Sequence, residues 1–219
     1  LICLPTIDRD INKANKMYSS LKESIDYLKE KKNIKISIVV ITRESDIKSI
    51  LFWKDKAKVI KVPHYSIEKT HNLEKVSEKF NTFIKLVKKN NYDALFIIES
   101  DVYVNYKTLN NLFDNLKNNH ISFAYGNLRW AKYPLIVVPT LFKPIIADAR
   151  EQKKNATVLG GWTGAVAIRS EVFDHCNFNL HKWQSKNLII EGQDVGFYNC
   201  AFKNRYKVSI TDEVFHDYM

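Results

Sequence analysis

Ala94-Leu95-Phe96-Ile97-Ile98-Glu99-Ser100-Asp101-Val102-Tyr103-Val104 is the stretch on which the fold turns. Apolar residues run without polar alternation to Ile98, the pattern of a strand buried on both faces of a covered sheet. The run then stops at two carboxylates two residues apart. Just before it, Val76, Phe80, Phe83, Ile84 and Val87 mark a long amphipathic helix. Further upstream, Val59 to Val62 reads as a strand ended by Pro63, and the β-branched run Ile36 to Ile41 as another. Asn15 to Lys31 carries Met17, Leu21, Ile25 and Leu28 at helical spacing, and Leu1 to Leu4 is a short strand stopped by Pro5. Strands alternating with helices of this length imply parallel pairing and right-handed crossovers, hence a layered α/β domain. Ligands of such sheets bind beyond the strand carboxyl ends, here just after Leu4, Ile41, Val62 and Ile98.

The second half is less regular. Ile121 to Tyr125 and Val158 to Ile168 read as strands, Ser170 to Phe173 as a short helix, Gln193 to Lys203 as a helix and Val208 to Ile210 as a final strand. No repeat or low-complexity linker interrupts the 219 residues, so a single domain over 1–219 is expected. With 45% hydrophobic and 26% charged residues the chain is globular rather than disordered. Its net charge of +10 favours anionic partners, whether nucleic acid, acidic membrane or phosphorylated small molecules. Most of the lysines fall on the polar faces of helical stretches such as 16–32 and 69–89, so a solvated face is the favoured account of them. Cys3, Cys176 and Cys200 are odd in number and form no Cys-x-x-Cys pair. Neither a disulfide framework nor a zinc knuckle is therefore expected, and isolated thiols suit a reducing compartment. No apolar run reaches about 18 residues; the best candidate, 133–149, is broken by Pro134, Pro139, Lys143 and Pro144. A soluble, cytoplasmic protein is expected. The sequence starts at Leu1, which leaves room for removed upstream residues.

Glu99 and Asp101 lie on the same side of an extended chain. Two acids there repel each other, so the site calls for a cation or a shared proton. A hard divalent ion sharing carboxylate, water and phosphate oxygens meets that need. Acid-x-acid triplets also arise by chance at strand ends, solvated and idle; the apolar strand in front of this one favours a function.

Glu99-Ser100-Asp101 resembles the Asp-x-Asp motif of nucleotide-sugar glycosyltransferases with the GT-A fold. The resemblance implies a GT-A-like α/β/α architecture: a Rossmann-like, nucleotide-donor-binding half over 1–104 and an acceptor-binding and catalytic half over 105–219. It implies that Asp101 binds Mn2+ or Mg2+ bridging the donor diphosphate, with Ser100 beside the donor and Glu99 at the ribose or a metal-bound water. Glu99 stands where Asp is usual. Leu159-Gly160-Gly161-Trp162-Thr163-Gly164 resembles the glycine loop lining the donor sugar and acceptor, where missing side chains let backbone approach a ligand; a plain turn is the alternative. Glu191-Gly192-Gln193-Asp194-Val195-Gly196 resembles the acid motif that opens the next helix, which carries the catalytic base to Asp194. Gln193 replaces an acid common in relatives, and a helix-cap role for Asp194 is the competing reading. Asp212-Glu213-Val214-Phe215-His216 resembles the late histidine of the metal shell. Pro5, Thr6 and Arg9 resemble the first-strand loop that holds the base, and Thr42 ends the second strand beside it, followed by Arg43 and Glu44. His71, Asn72 and Lys75 open the helix where relatives place donor contacts. The small soluble glycosyltransferases of large DNA viruses look most similar, which would place the protein in a host cytoplasm; Leu4 to Arg9 also resembles the branching N-acetylglucosaminyltransferases.

The implied reaction moves a sugar from a nucleoside-diphosphate sugar, UDP favoured and GDP not excluded, to a glycan or glycoprotein hydroxyl. A retaining relative's His-x-x-Gly-x-x-Lys-Pro segment is missing, which favours inversion. Trp162 and Trp130, with Trp183 behind them, are candidate sugar platforms; core packing competes for each. Two rivals stand. A nucleotidyltransferase acting on sugar phosphates shares the layers and the acidic metal site but carries a glycine-rich loop after the first strand, and Pro5 to Asp10 contains no glycine. A non-catalytic basic nucleic-acid-binding domain needs exposed aromatics among the lysines, whereas the aromatics here sit in apolar runs, so no nucleic acid is expected.

Overall fold

A computed structural model of the protein describes residues 1–6, 11–63, 72–100, 102–126, 135–138, 145–148, 164–185 and 188–216, with backbone alone at 72–76, 126, 135–138, 145–148, 183–185, 188–190, 212–213 and 215–216. The elements run β1 (Ile2–Pro5), α1 (Ile11–Lys31), β2 (Ile38–Arg43), α2 (Ile47–Trp53), β3 (Lys58–Val62), α3 (Asn72–Lys89), β4 (Ala94–Ile98), β5 (Val102–Tyr103) and α4 (Tyr106–Asn115). They continue as β6 (Ile121–Gly126), β7 (Leu135–Val138), β8 (Ile145–Asp148), β9 (Ala165–Arg169), a 3-10 turn (Ser170–Asp174), β10 (His181–Ser185), β11 (Leu188–Gly192), α5 (Gln193–Lys203) and β12 (Val208–His216).

Eight strands form one sheet in the order β3-β2-β1-β4-β9-β6-β12-β5. β1 pairs parallel with β2 and β4, β2 with β3, and β12 with β6; β9 runs antiparallel between β4 and β6, and β5 antiparallel along the end of β12. Every strand except β9 and β5 therefore points the same way, and their carboxyl ends share one edge. Alternation divides the strands between two cores. Leu1, Cys3, Val39, Ile41, Leu95, Ile97, Phe123 and Val166 face α3 and α5, which contribute Phe80, Phe83, Phe197 and Tyr198. Ile2, Leu4, Val40, Phe96, Ile98 and Ala167 face α1, α2 and α4, met by Met17, Leu21, Trp53, Leu109 and Leu112. Helices thus cover both faces, as the uninterrupted apolar strands require, and each large aliphatic or aromatic side chain so buried contributes roughly 1.5–3 kcal/mol. The expected layered, GT-A-like α/β class is the observed one.

Several elements differ from the sequence reading. α1 begins at Ile11, ahead of Asn15. α2 and α4 were not expected: Ile47 and Leu51 of α2 are 56% and 57% exposed, so its apolar spacing does not follow burial. β12 continues past Ile210 to His216 through a register shift between Ile210 and Glu213, where the polar stretch hides the strand period. The hairpins β7–β8 and β10–β11 are two-stranded sheets apart from the main one. Cys176 and Cys200 form a disulfide with their Cα atoms 5.6 Å apart, leaving Cys3 buried and free. That pairing corrects the expectation of isolated thiols and weighs against the reducing compartment they suggested. The 24-residue separation carries no signature; only the docking of α5 against the segment after the 3-10 turn brings the sulfurs together. Among the described residues no helix is long and apolar enough to cross a membrane.

Candidate functional site at the carboxyl edge of the sheet

β4 delivers the acid motif to this edge. The Glu99 N–H donates to the Gly164 carbonyl at 2.8 Å, and the Val102 N–H donates to the Glu99 carbonyl at 3.1 Å, closing a turn that buries Ser100 to 4% exposure. The acid motif and the last residue of the glycine loop are thus hydrogen-bonded neighbours. β12 ends at the same place: His216 pairs with Val102, the residue that follows Asp101 in sequence. Asp101 and the His216 side chain lie outside the described residues, as do Gly160, Gly161, Trp162 and Trp130. Among the described residues no group of three His, Cys, Asp or Glu side chains converges. The backbone segments that carry the three expected ligands do lie side by side.

Beyond β1 and β2 the edge is polar and cationic. Pro5 pairs with Ile41, and the Thr6 N–H donates to the Ile41 carbonyl at 3.0 Å. Thr6 is 2% exposed, and its Oγ1 has no partner among the described residues. Thr42 Oγ1 donates to Asp46 Oδ2 at 3.2 Å, while Arg43 grips the same carboxylate in a fork, Nε to Oδ2 at 2.8 Å and Nη2 to Oδ1 at 2.7 Å. Burial pushes the Asp46 carboxyl up, but the hydrogen bonds from Arg43 and Thr42 outweigh it and hold it below the ordinary range. Lys79 of α3 lies beside this pair; burial first, then the Arg43 charge, depresses its ammonium, and Asp46 offsets part of that. The sequence reading passed over Asp46 and Lys79. The signal for Lys79 was available: it lies three residues after Val76 and four before Phe83, on the apolar stripe of α3, where a lysine needs a reason. Arg9 and His71 lie outside the described residues; Asn72 and Lys75 belong to the first turns of α3, with side chains not described.

α5 brings the remaining acid. Its last turn leads into Val208, which pairs with Ile121 at the start of β6, so its first turn, with Asp194, sits at the carboxyl edge. The N-cap is Gly192, which offers no side-chain bond, and the Asp194 carboxylate fills that role by accepting the backbone N–H groups of Asp194 and Val195. Burial nevertheless dominates and pushes its carboxyl up to about 6, with the two N–H bonds pulling the other way. Asp194 is thus both a cap and a carboxyl with the pKa of a general base. On α5 itself, Gln193 Oε1 and the Tyr198 hydroxyl are buried without partners among the described residues.

Gly192 is explained by the same carboxylate. Its backbone is extended (φ 176°), which any residue adopts, but a Cβ there would collide with Asp194 Oδ1. Gly192→Ala is therefore expected to swing the carboxyl out of place, lowering turnover about 10-fold or more while Tm stays within a few degrees. Steady-state rates beside a thermal melt check this; unchanged turnover means the carboxyl position does not matter. Trp183 lies in β10 opposite Ile190, away from the main sheet.

No protein-family profile and no curated protein matches the sequence. Solved structures do match its fold. S. aureus TarS (residues 1–349, in complex with UDP-GlcNAc) matches 100% of this chain with a TM-score of 0.57 at 12% identity. This chain spans 58% of that one. A nucleoside-diphosphate-sugar pyrophosphorylase from Vibrio cholerae aligns over 97% of this chain and 91% of its own, with a TM-score of 0.55 and 9% identity. The 4-diphosphocytidyl-2C-methyl-D-erythritol synthase of Anaerococcus prevotii aligns over 99% and 88%, with a TM-score of 0.52 and 10% identity. At such identities the likeness shows the fold, a nucleotide-diphospho-sugar transferase-like α/β sheet, and function must be argued from the site.

Proposed function

We propose that this chain is a metal-dependent glycosyltransferase that moves a sugar from a nucleoside-diphosphate sugar, UDP favoured, to a hydroxyl of a glycan or glycoprotein, with inversion. The observation that carries this reading is the meeting of the Glu99 turn, Gly164 and the end of β12 at the carboxyl edge of the sheet, the edge on which α5 also starts with Asp194, its carboxyl pushed up to about 6 by burial. A group with that pKa is ionised at neutral pH yet basic enough to accept a proton in a transition state. TarS, whose fold is similar, is solved with UDP-GlcNAc, which supports a nucleotide-sugar donor.

In this reading Asp194 takes the proton of the acceptor hydroxyl as that oxygen bonds to the anomeric carbon, and the bond from that carbon to the diphosphate oxygen breaks. Residues 1–104 bind the donor, with Thr6, Thr42, Arg43 and Lys79 as its polar surroundings; residues 105–219 bind the acceptor. Asp101, His216 and Glu99 would hold a divalent ion, which neutralises the charge of a departing diphosphate. A nucleotidyltransferase is the second reading, favoured by the extent to which the Vibrio cholerae pyrophosphorylase aligns.

Isothermal titration of UDP and GDP, each with and without manganese, on the full chain and on Asp101→Ala, tests the donor site. Metal-dependent binding of one diphosphate, lost in the variant, is the expected result. No diphosphate binding under any condition overturns the reading and brings a basic nucleic-acid-binding module forward. Pyrophosphate release from a nucleoside triphosphate and a sugar 1-phosphate would instead favour the nucleotidyltransferase.

A further inference from the structure

We propose that Tyr198 is a positioning residue for Asp194, its phenolic hydroxyl donating through one bridging water to the ionised carboxylate and holding it toward the acceptor. This rests on the reading of Asp194 as the base. Tyr198 is fully buried, with its ring edge-on to Phe123 (centroids 5.7 Å apart, 63°) and to Phe197 (5.8 Å, 77°). Phenylalanine would fill that space as well, and a buried hydroxyl left unmatched costs free energy. The hydroxyl has no partner among the described residues. Packing therefore does not explain why the residue is tyrosine.

The missing partner is one helical turn away. Residues four apart share a helix face, which puts Asp194 and Tyr198 on the same side of α5. Asp194 is the side-chain charge that bears on the phenol, which burial already holds well above its ordinary range. A carboxylate has about four acceptor positions, and the Asp194 and Val195 N–H groups use two. The phenol needs an acceptor; the carboxylate has capacity for a donor. Among the described residues, other titratable groups on neighbouring elements are exposed or have partners of their own. His181 of β10 faces Asn199 at 3.4 Å, Glu191 of β11 is exposed, and on α3 Lys85 and Lys89 are exposed while Lys88 pairs with Asp174. Tyr206 reaches His175 and the 3-10 turn at the opposite end of α5.

A donor to the charged form lowers a carboxyl pKa, so its removal raises it. Carboxyl-13C aspartate NMR of Tyr198→Phe should show the Asp194 titration displaced upward by about half a pH unit or more. The acid limb of kcat/KM should move with it, and kcat should fall about 10-fold at unchanged KM for the donor. A purely structural tyrosine would leave the titration in place, and an unmoved Asp194 titration overturns the proposal. Should the variant fail to fold, ζ-13C tyrosine NMR of the unaltered chain decides: the Tyr198 signal must follow the Asp194 titration, and a flat signal overturns the contact. A displaced titration in Tyr198→Phe combined with undiminished turnover in Asp194→Asn would sink the base assignment and leave the contact standing.

Discussion

Asp194→Asn lowers the rate of sugar transfer by about 10²- to 10⁴-fold while donor affinity stays within a factor of about two, the expected loss for removing a general base. Asparagine keeps one acceptor oxygen for the backbone N–H groups of Asp194 and Val195, so the first turn of α5 stays capped and only proton transfer is lost. In the unaltered chain kcat/KM should fall about tenfold per pH unit below pH about 6, because protonation removes the base. Initial rates across pH 4.5–8.5, with donor titrations of both forms, check this; turnover retained in the variant removes Asp194 from the mechanism.

The same substitution should raise stability. Asp194 has its folded pKa raised from 3.8 to about 6, so the folded state binds the proton more tightly than the unfolded chain. The stability that this group contributes is therefore greatest below about pH 4 and declines as pH rises to about 6, above which the penalty of the buried charge is fully present. A displacement of about two units corresponds to a penalty on the order of 3 kcal/mol. Asparagine carries no charge to bury, so its Tm should exceed that of the unaltered chain by several degrees at pH 8. The gap should close near pH 4. Equal melting curves at pH 8 would mean the carboxyl is not held in a desolvating environment. A residue that costs stability where it is ionised is more readily understood as part of a reaction than as a cap.

What the sequence could disclose follows from which interactions are local. β1 to β4 were legible because each is an apolar run bounded by Pro5, Arg43, Pro63 or Glu99, and covered sheets leave that trace. The placement of the acid motif at a strand end came from the same pattern. α4 was missed although Asn105 caps it, accepting from the Thr108 N–H at 2.9 Å, because only Leu109 and Leu112 mark its buried face beside Thr108. The Cys176–Cys200 bond, the Arg43–Asp46 fork beside Lys79 and the buried phenol of Tyr198 depend on how distant elements dock. Residues supplied by one motif can be read from one sequence; their partners across the sheet are written in the topology. Asp194 shows the boundary: its position at the start of the helix from Gln193 to Lys203 was readable, whereas the desolvation that raises its carboxyl was not.

Gly196→Ala should destabilise the protein by about 3 kcal/mol or more, a fall in Tm of roughly 6–12 °C for a chain of this size. Helix propensity alone predicts the reverse, since alanine is favoured over glycine inside a helix by about 1 kcal/mol. Sterics decide the sign. A Cβ at Gly196 would be driven into the carbonyl oxygen of Asn179 and approach its carbonyl carbon at 3.0 Å and His181 Cβ at 3.3 Å. The main obstruction is backbone, so no rotamer relieves it. The obstructing segment is also pinned. Asn81 of α3 donates to the Phe178 carbonyl at 2.9 Å and accepts from its N–H at 2.8 Å, and Phe178 stacks on Phe197 with centroids 4.5 Å apart. The Cys176–Cys200 bond ties the same segment to α5. Yielding must then displace α5 itself, and with it the first turn that carries Asp194, so turnover should fall along with stability. Thermal melts and rates of Gly196→Ala decide between the two effects, with Asn179→Ala as the control that leaves the carbonyl in place and should change little. A rise in Tm for Gly196→Ala would mean that propensity wins and that α5 does not pack this closely against the segment before β10.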